Sequence, residues 1–391
     1  MILQTSLFVN YIDPLGGVTS WAKQVAQYLP LEHGFSLVAV KNERLRLPYS
    51  SKILRTDECQ VVYVGGALKR GSYPEREIKS LRGLHKSSKA IIEKTNLYIP
   101  NQFEFGFRLA ALANLEGYTS RCIGICHTDE EYYYYLLTKY APIINTFICV
   151  SSKCRKELEE RLPNRRRDIN QLPYGVNIPA EKRCVGPSSP LRLLYVGRLL
   201  QRQKRVLDFI KLTKILCVRN LPFTLSFVGT GDDEANLKHS LLPYRHCVRF
   251  LGPLAPQAIC NLYSKYDVLI LPSETEGISI AMLESMANGL VPIVTHVSGA
   301  EDLIDDGING FLFQKGDLHQ AANRVELLVR SSALWLKMSS AAQKTIRNHY
   351  SDEQHFHKLE SIINRSYQKT PASYEAARYV LNDPRTFELP T

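Results

Sequence analysis

The chain has 391 residues, of which 45% are hydrophobic, and a formal net charge of +11 at pH 7. This length predicts two domains, because one ordinary hydrophobic core does not extend over so many residues. The composition argues against a small disulfide scaffold, since the nine cysteines are an odd number and form no C-x-x-C pair, and we expect a reduced, cytoplasmic protein.

The first apolar segment, Ile2–Val9, has neither a basic lead nor a small-residue cleavage site, so we expect no signal peptide. No apolar run approaches the roughly 20 residues of a membrane-spanning helix. We therefore expect a protein that is soluble or peripheral at the inner face of a membrane.

Short apolar runs alternate with helical patterns along the whole chain, which predicts an α/β fold with two parallel sheets flanked by helices. The strands predicted for the first sheet are Leu3–Val9, Phe35–Val40, Val61–Val64, Leu97–Ile99, Arg121–Cys126 and Thr146–Val150. Those predicted for the second are Leu191–Val196, Thr224–Val228, Val248–Leu251, Val268–Leu271, Val291–Thr295 and Gly310–Phe313. Breakers concentrate in Pro173–Pro179 and Val185–Pro190, which predicts a domain boundary near residue 181.

The loop after the first strand carries Gly16 and Gly17 in front of an amphipathic helix. Two glycines there would let backbone N–H groups approach a phosphate closely, although such a turn alone is weak evidence. The loop lacks both the G-x-G-x-x-G fingerprint and the lysine of a P-loop, which argues against a dehydrogenase or an NTPase.

Positive charge is concentrated on and beside a predicted helix of the first half, and again in Arg165–Arg167. The first group is Lys69, Arg70, Arg76, Lys79, Arg82, Lys86, Lys89 and Lys94. A solvated helix face is the favoured interpretation, and attraction to anionic lipid headgroups or to a phosphate-bearing acceptor is the alternative. We expect no nucleic acid partner, because no aromatic-interleaved basic stretch accompanies the charge.

His127 follows the predicted strand Arg121–Cys126 at its carboxyl end, where it could orient a hydroxyl group of a ligand. The neighbouring Cys122 and Cys126 fall within the apolar run, so packing is favoured over a metal site. Four tyrosines, Tyr132 to Tyr135, follow and either line an acceptor groove or cover the domain.

The loop after the first strand of the second series contains Arg198 and Lys204, two cations that could take up the charge of a leaving diphosphate. Arg202 and Arg205 in the same loop are expected to be solvated. No D-x-D motif occurs in the chain, so we expect departure of the leaving group without a metal.

Glu276 and Glu284 are eight positions apart, the first in a turn after the strand Val268–Leu271 and the second inside a predicted helix. Glu276 could be there only to favour the helix dipole. Glu284 lies in an apolar stretch, where a carboxylate is unfavourable unless a partner or ligand meets it. Between them, the N–H groups of Gly277, Ile278 and Ser279 are expected to open the helix and to form an anion site.

These motifs, in this order, resemble those of the retaining glycosyltransferases of family 4, which have the GT-B fold of two facing Rossmann-like domains. The resemblance includes Gly16–Gly17, His127, Val150–Ser151, Tyr174–Asn177, Gly197–Arg198 with Lys204, Val228–Gly231, Phe250–Gly252, Glu276 to Glu284, Gly299–Asp302 and Asn309–Gly310. It implies an amino-terminal domain of residues 1–181 plus 352–391 and a nucleotide-sugar-binding domain of residues 182–351.

The resemblance also implies a role for each site residue. Glu276 would bind hydroxyls of the donor sugar, Glu284 the ribose, and His127 the sugar near the reacting carbon. Arg198 and Lys204 would hold the donor diphosphate, helped by backbone at Gly17 and at Gly277 to Ser279. Relatives usually have Phe-Gly where this chain has Ile278–Ser279, and an extra residue in the cationic loop leaves Arg202 as a substitute for Lys204.

The implied reaction is metal-independent transfer of a hexose, with retention at the anomeric carbon, from a nucleotide diphosphate sugar to an acceptor hydroxyl. UDP-sugars are favoured as donors, with UDP-glucose as an example, and the acceptor would be a saccharide or a lipid-linked intermediate of surface polysaccharide or glycolipid assembly. No cofactor is expected. A sugar-nucleotide epimerase of the same fold and a non-catalytic nucleotide-sugar binder are the alternatives.

Overall fold

The structure is a computed structural model that describes residues 5–10, 17–28, 35–40, 53–56, 59–64, 92–101, 103–180 and 186–382. The chain forms two compact units. The first consists of Met1–Val150, Cys154–Leu172 and Phe356–Thr391, and the second of Ser151–Lys153 and Pro173–His355. Positions 181 and 352, where the sequence predicts boundaries, both fall within the second unit.

The first unit is built on an eight-stranded sheet with the strand order β3-β4-β2-β1-β5-β6-β7-β8. The strands are β1 Thr5–Asn10, β2 Phe35–Val40, β3 Ile53–Thr56, β4 Cys59–Val64, β5 Leu97–Ile99, β6 Arg121–Cys126, β7 Thr146–Cys149 and β8 Ile169–Gln171. All pairings are parallel except that of β3 with β4 at the sheet edge. The sequence-based set missed β3 and β8.

Helices of the first unit cover this sheet. They are α1 Gly17–Tyr28, α2 Glu104–Leu115, α3 Glu131–Lys139, α4 Ser152–Arg161, α13 Asp352–Tyr367 and α14 Tyr374–Asn382, of which α4 and α13 start in the second unit. Tyr367 bonds Thr5 at 2.6 Å between hydroxyl oxygens, and Ser366 donates to Thr146 at 2.8 Å. These bonds join the end of α13 to the first residues of β1 and β7.

The second unit contains a six-stranded parallel sheet with the order β11-β10-β9-β12-β13-β14. The strands are β9 Leu191–Val196, β10 Phe223–Val228, β11 Val248–Gly252, β12 Val268–Leu271, β13 Val291–Thr295 and β14 Phe311–Phe313. Every residue of β12 and β13 is buried, as expected for parallel strands covered on both faces. The two predicted sheets are thus confirmed.

The helices of the second unit follow its strands. They are α5 Gln201–Lys204, α6 Asp208–Val218, α7 Glu234–Leu241, α8 Pro256–Tyr263, α9 Ile280–Ala287, α10 Ala300–Leu303, α11 Leu318–Arg330 and α12 Ser332–His349. Trp335 of α12 is fully buried and donates its indole N–H to the carbonyl of Asp267, 2.9 Å away. The Asp267 carboxylate receives two bonds of 3.2 Å from the Arg192 guanidinium, so this buried charge is paired.

Candidate functional site

The strand order in the sheet of the second unit reverses between β9 and β12. From β9, the chain first adds β10 and β11 on one side and then β12, β13 and β14 on the other. In parallel α/β sheets, ligands bind outside the carboxyl ends of the strands at such a switch point. The loops after β9 and β12 are therefore the candidate ligand-binding loops of this unit.

The loop after β9 is held in place by hydrogen bonds to its own backbone. The Tyr195 hydroxyl donates to the carbonyl oxygen of Arg198 at 2.6 Å, and the backbone N–H of Gln201 donates to the Asp233 carboxylate at 2.7 Å. Arg205 ends the short helix α5 in the left-handed conformation, with φ 50°. Arg198 and Lys204 thus stand on a constrained turn.

Lys204 and Glu276 are in direct contact across the switch point. The Nζ of Lys204 lies 2.5 Å from Oε1 of Glu276, and the two side chains are 15% and 12% exposed. Ser273 donates its hydroxyl to the same carboxylate oxygen at 2.6 Å. The backbone N–H of Glu274 also donates to the carbonyl of Gln203 at 2.8 Å, so the loops after β9 and β12 are bonded by main chain and side chain.

Arg198 is exposed, and its guanidinium Nη2 donates to the side-chain oxygen of Gln203 at 2.5 Å. Arg202 is also exposed, as expected. The expectation of a solvated Arg205 is wrong, because its guanidinium is 2.7 Å from Glu274 and 2.9 Å from Asp208. Arg205 therefore supports the loop, and Arg198 and Lys204 are the cations that its geometry leaves near the switch point.

Helix α9 begins at Ile280, three residues later than the sequence predicts. Ser279 is its N-cap and accepts a hydrogen bond from the N–H of Met282 at 3.3 Å, while Gly277 and Ile278 lie in the preceding buried segment. A serine cap satisfies one of the N–H groups that a helix leaves without an intrahelical partner. The amino end of α9 still lies immediately after Glu276, with a serine in place of a glycine at its cap.

The loops after β12 and β13 approach each other closely at two glycines. A Cβ atom added to Gly299 would lie 1.6 Å from the carbonyl oxygen of Gly277, and the φ of Gly299 is 73°. Only glycine fits both the contact and the left-handed backbone. This contact fixes the segment from which α9 starts.

Glu284 lies just past the first turn of α9, nearer its start than expected because the helix begins later. Its Oε2 accepts a hydrogen bond of 2.8 Å from the hydroxyl of Tyr263, the last residue of α8. Burial raises the pKa of Glu284 to about 7 against the opposing Tyr263 bond, and the Asp352 carboxylate adds to the increase. Burial also raises the pKa of Asp352 to about 6, and its Oδ1 has no hydrogen-bond partner within the described ranges.

Tyr263 and Asp352 were not found from the sequence. Asp352 is 68 positions after Glu284, counting from 284 to 352, and it lies in the first turn of a helix, where an aspartate is common for capping alone. Tyr263 ends an amphipathic helix and looks like a core residue. Only the fold brings these groups to the second glutamate.

His127 belongs to the first unit and is buried at the end of β6. Its Nε2 lies 3.0 Å from Oδ1 of Asn101, a residue that follows β5 with φ 54°. Trp21 of α1 meets the imidazole edge-on, with ring centroids 5.5 Å apart. Burial lowers the pKa of His127 to about 3, so the imidazole is neutral near pH 7. The contact with a donor sugar implied for His127 remains a prediction.

The predicted glycine turn, the tyrosine run and the cysteines of β6 also belong to the first unit. Gly17 is the first residue of α1, and Gly16 lies outside the described residues. Tyr133 and Tyr134 are buried, whereas Tyr132 is 39% exposed, so at least two of the four tyrosines belong to the core. Cys122 and Cys126 are buried free thiols of β6.

Of the first basic group predicted from the sequence, Lys94 is exposed, and the other members lie outside the described residues. Arg165 donates to the Asp168 carboxylate and to two backbone carbonyls, so it is a structural residue rather than a free charge. In the described part of the chain, every helix is too short or too polar to cross a bilayer.

The second unit resembles known glycosyltransferases in sequence. Residues 190–331 match the family model described as glycosyl transferases group 1. The amylovoran biosynthesis glycosyltransferase AmsK of Erwinia amylovora is 29% identical over 184 residues, or 45% of each chain. The capsular polysaccharide biosynthesis glycosyltransferase CapM of Staphylococcus aureus is 25% identical over 173 residues, or 44% of this chain and 45% of CapM. The matches thus span a little under half of these curated relatives.

Solved structures extend the similarity to both units. Anabaena HepE in complex with UDP has a TM-score of 0.71 at 14% identity, with 93% of this chain and 100% of that chain covered. Sucrose-phosphate synthase from Thermosynechococcus elongatus has a TM-score of 0.72 at 16% identity, with 94% and 99% covered. Identities this low establish the fold alone. The chain has the fold of the GT-B enzymes, and its residues 190–331 match the glycosyl transferases group 1 family.

Proposed function

We propose that this protein is a retaining glycosyltransferase that moves a hexose from a nucleotide diphosphate sugar to an acceptor hydroxyl. The observation that carries the proposal is the contact between Lys204 and Glu276 at the switch point of the second sheet, 2.5 Å from Nζ to Oε1. It joins a cation suited to a diphosphate and a carboxylate suited to sugar hydroxyls. Arg198 on the same turn and the amino end of α9 complete the donor site.

Lys204 can serve Glu276 and a phosphate together. An ammonium group has three N–H donors, and one is directed at Glu276. We propose that the other two donate to oxygens of a diphosphate. Arg198 adds a second positive charge from an exposed position, which suits a group that must meet a substrate arriving from solvent.

The leaving group develops negative charge as the bond to the sugar breaks, and fixed cations and a helix amino end stabilise that charge. In the proposed reaction, the departing β-phosphate takes the proton of the acceptor hydroxyl on the same face of the sugar. The acceptor oxygen then forms the new bond on the side that the phosphate leaves, which retains the anomeric configuration. This reaction requires no metal, because Lys204 and Arg198 supply the positive charge.

Glu276 is proposed to position the donor rather than to attack it. Its Oε1 already accepts from Lys204 and Ser273, so this oxygen is stabilised as an acceptor of hydrogen bonds. A carboxylate engaged in this way is a weak nucleophile, and Oε2 would accept hydroxyls of the sugar. Glu284 is proposed to bind the ribose hydroxyls, with Tyr263 orienting it from α8.

The donor class rests on similarity and is part of the proposal. HepE was solved with UDP and with UDP-glucose, and an Escherichia coli relative is named a UDP-Gal:alpha-D-GlcNAc-diphosphoundecaprenol alpha-1,3-galactosyltransferase. We therefore propose a UDP-sugar donor, with UDP-glucose favoured. The acceptor proposed is a saccharide or a lipid-linked saccharide of surface polysaccharide or glycolipid assembly. The names of AmsK and CapM refer to polysaccharide biosynthesis, and that of the Escherichia coli relative to a diphosphoundecaprenol-linked sugar.

The experiment has two stages. Thermal stabilisation is measured with UDP-, GDP-, ADP- and dTDP-sugars, and UDP-sugars are expected to raise the Tm most. The stabilising donor is then incubated with saccharide and lipid-linked acceptors in chelator, and the anomeric configuration of the product is read by NMR. Stabilisation without turnover would favour a nucleotide-sugar binder, and conversion of the donor without acceptor would favour an epimerase. An inverted product would refute retention, and a strict metal requirement would refute metal independence.

A further inference from the structure

Two thiols and an imidazole meet on the second unit, away from the proposed donor site. The sulfur atoms of Cys217 and Cys247 and a ring nitrogen of His246 all lie within 4.8 Å of one another. Cys247 is buried, Cys217 is half-buried and His246 is exposed. The three residues form a cluster that solvent can reach from the imidazole side.

The fold, not the sequence, makes this cluster. Cys217 lies in the last turn of α6, which leads into β10, and His246 and Cys247 immediately precede β11. They are therefore at the amino ends of the two neighbouring strands, whereas Lys204 and Glu276 follow the carboxyl ends of theirs. Six residues of β10 at about 3.3 Å each separate the two ends by roughly 20 Å. The cluster is thus a second location, independent of the donor site.

We propose that Cys217, His246 and Cys247 form a zinc site. Thiolate sulfur and imidazole nitrogen are the donor atoms that Zn²⁺ prefers in proteins, and three protein ligands leave a fourth position for water. Tetrahedral coordination with bonds of about 2.0–2.3 Å keeps ligand atoms roughly 3.5–3.8 Å apart. Contraction from the 4.8 Å limit by about 1 Å is within the range of side-chain rotation.

Charge supports a soft divalent ion here. Binding of Zn²⁺ by the two thiols releases two protons and leaves two thiolates, whose two negative charges cancel the two positive charges of the ion, so the loaded site is neutral. Neutrality matters because Arg219 and Arg245 flank the ligands in sequence. Arg219 is paired with Glu326, 3.1 Å away, so its positive charge is compensated outside the cluster.

The site would join the end of α6 directly to the start of β11. Cys217 anchors the end of α6, and His246 with Cys247 anchors the start of β11, the edge strand. A shared ion fixes this edge, so zinc is expected to stabilise the second unit. The role is structural and separate from the metal-independent chemistry proposed at Lys204.

The test uses the full reduced chain, freed of metal with a chelator that is then removed. Co²⁺ is added first, and thiolate-to-cobalt charge-transfer absorption is expected to saturate at one equivalent per chain. Zn²⁺ is then expected to displace Co²⁺ and to raise the Tm. Cys217→Ser and His246→Gln should each weaken zinc binding by at least about tenfold. Cys260→Ser and His239→Gln, which change the same residue types outside the cluster, should leave the affinity unchanged.

A measurement on the wild-type chain covers the case in which a variant fails to fold. Zn²⁺ is expected to protect Cys217 and Cys247 from alkylation, as read by peptide mass spectrometry, and to leave the alkylation of Cys260 unchanged. Equal protection of Cys260, or zinc affinity that survives the Cys217→Ser/His246→Gln double variant, would overturn the proposal. Rapid formation of a Cys217–Cys247 disulfide that zinc does not prevent would also overturn it and assign the pair to redox chemistry.

Discussion

Replacing Lys204 with alanine is expected to lower kcat by about two orders of magnitude or more. At an effective dielectric constant near 20, two unit charges 4 Å apart interact by about 4 kcal/mol. A hundredfold loss of rate corresponds to about 2.7 kcal/mol. The charge of Lys204 therefore accounts for the expected loss even after roughly a third of its effect is removed by solvent screening.

The ion pair with Glu276 adds to the effect of this substitution. Without Lys204, the 12%-exposed carboxylate keeps the Ser273 bond and faces the diphosphate without its cation. Both consequences destabilise the transition state, so kcat falls. Lys204→Arg keeps the charge and is expected to recover part of the rate. Arg202→Ala removes the same charge from an exposed position of the same turn and serves as the matched control.

The assay measures initial rates of sugar transfer from the donor that stabilises the protein best, together with the Kd of that donor by calorimetry. Arg202→Ala is expected to change kcat by less than about threefold. A Lys204→Ala rate within about threefold of wild type at saturating donor would refute the charge argument. An equal loss in Arg202→Ala would instead identify Arg202 as the cation, the substitute that the loop length suggests.

Three further predictions concern stability and pH. Gly299→Ala is expected to lower the free energy of unfolding by at least about 3 kcal/mol in denaturant melts, because its Cβ would meet the carbonyl of Gly277. The control is Gly307→Ala, where φ is 81° and no atom lies within 4 Å of the added Cβ. This variant should lose only about 1 kcal/mol. The folded state binds the Glu284 proton more tightly than the unfolded chain does, so the free energy of unfolding falls as pH rises from about 4.5 to about 7. Relative to Glu284→Gln, the wild type should lose about 3 kcal/mol over this window. Parallel pH profiles of the two proteins would contradict the raised pKa of this buried carboxyl. Tyr263→Phe removes the bond that opposes the raised pKa, so the loss of stability should extend to higher pH than in wild type, and an unchanged upper limit would contradict that role.

The sheets could be predicted because buried parallel strands leave a local signal. The run Val268–Leu271 is continuous and apolar, and its observed bounds match the predicted ones. The short strands Ile53–Thr56 and Ile169–Gln171 have no such signal, since their sequences ILRT and INQ each end in two polar residues. Their presence depends on pairing with neighbours.

The start of α9 was misplaced for a local reason. Ser279 looks like a small residue in the helix, but its side chain caps the helix, and the glycine contact holds the preceding segment extended. The sequence also identified Arg198, Lys204 and Glu276, because they follow strand ends, and Glu284, because a carboxylate in an apolar stretch is unfavourable without a partner or ligand. It could not identify the 2.5 Å contact between Lys204 and Glu276, which are 72 positions apart.

The most direct test of the central claim compares the binding of UDP with that of uridine. If Arg198 and Lys204 hold the diphosphate, wild type should bind UDP far more tightly than uridine, and the Arg198→Ala/Lys204→Ala double variant should lose at least about a hundredfold of that preference while uridine binding stays the same. Calorimetry at fixed ionic strength gives both constants. A double variant that keeps the wild-type preference for UDP would contradict the account.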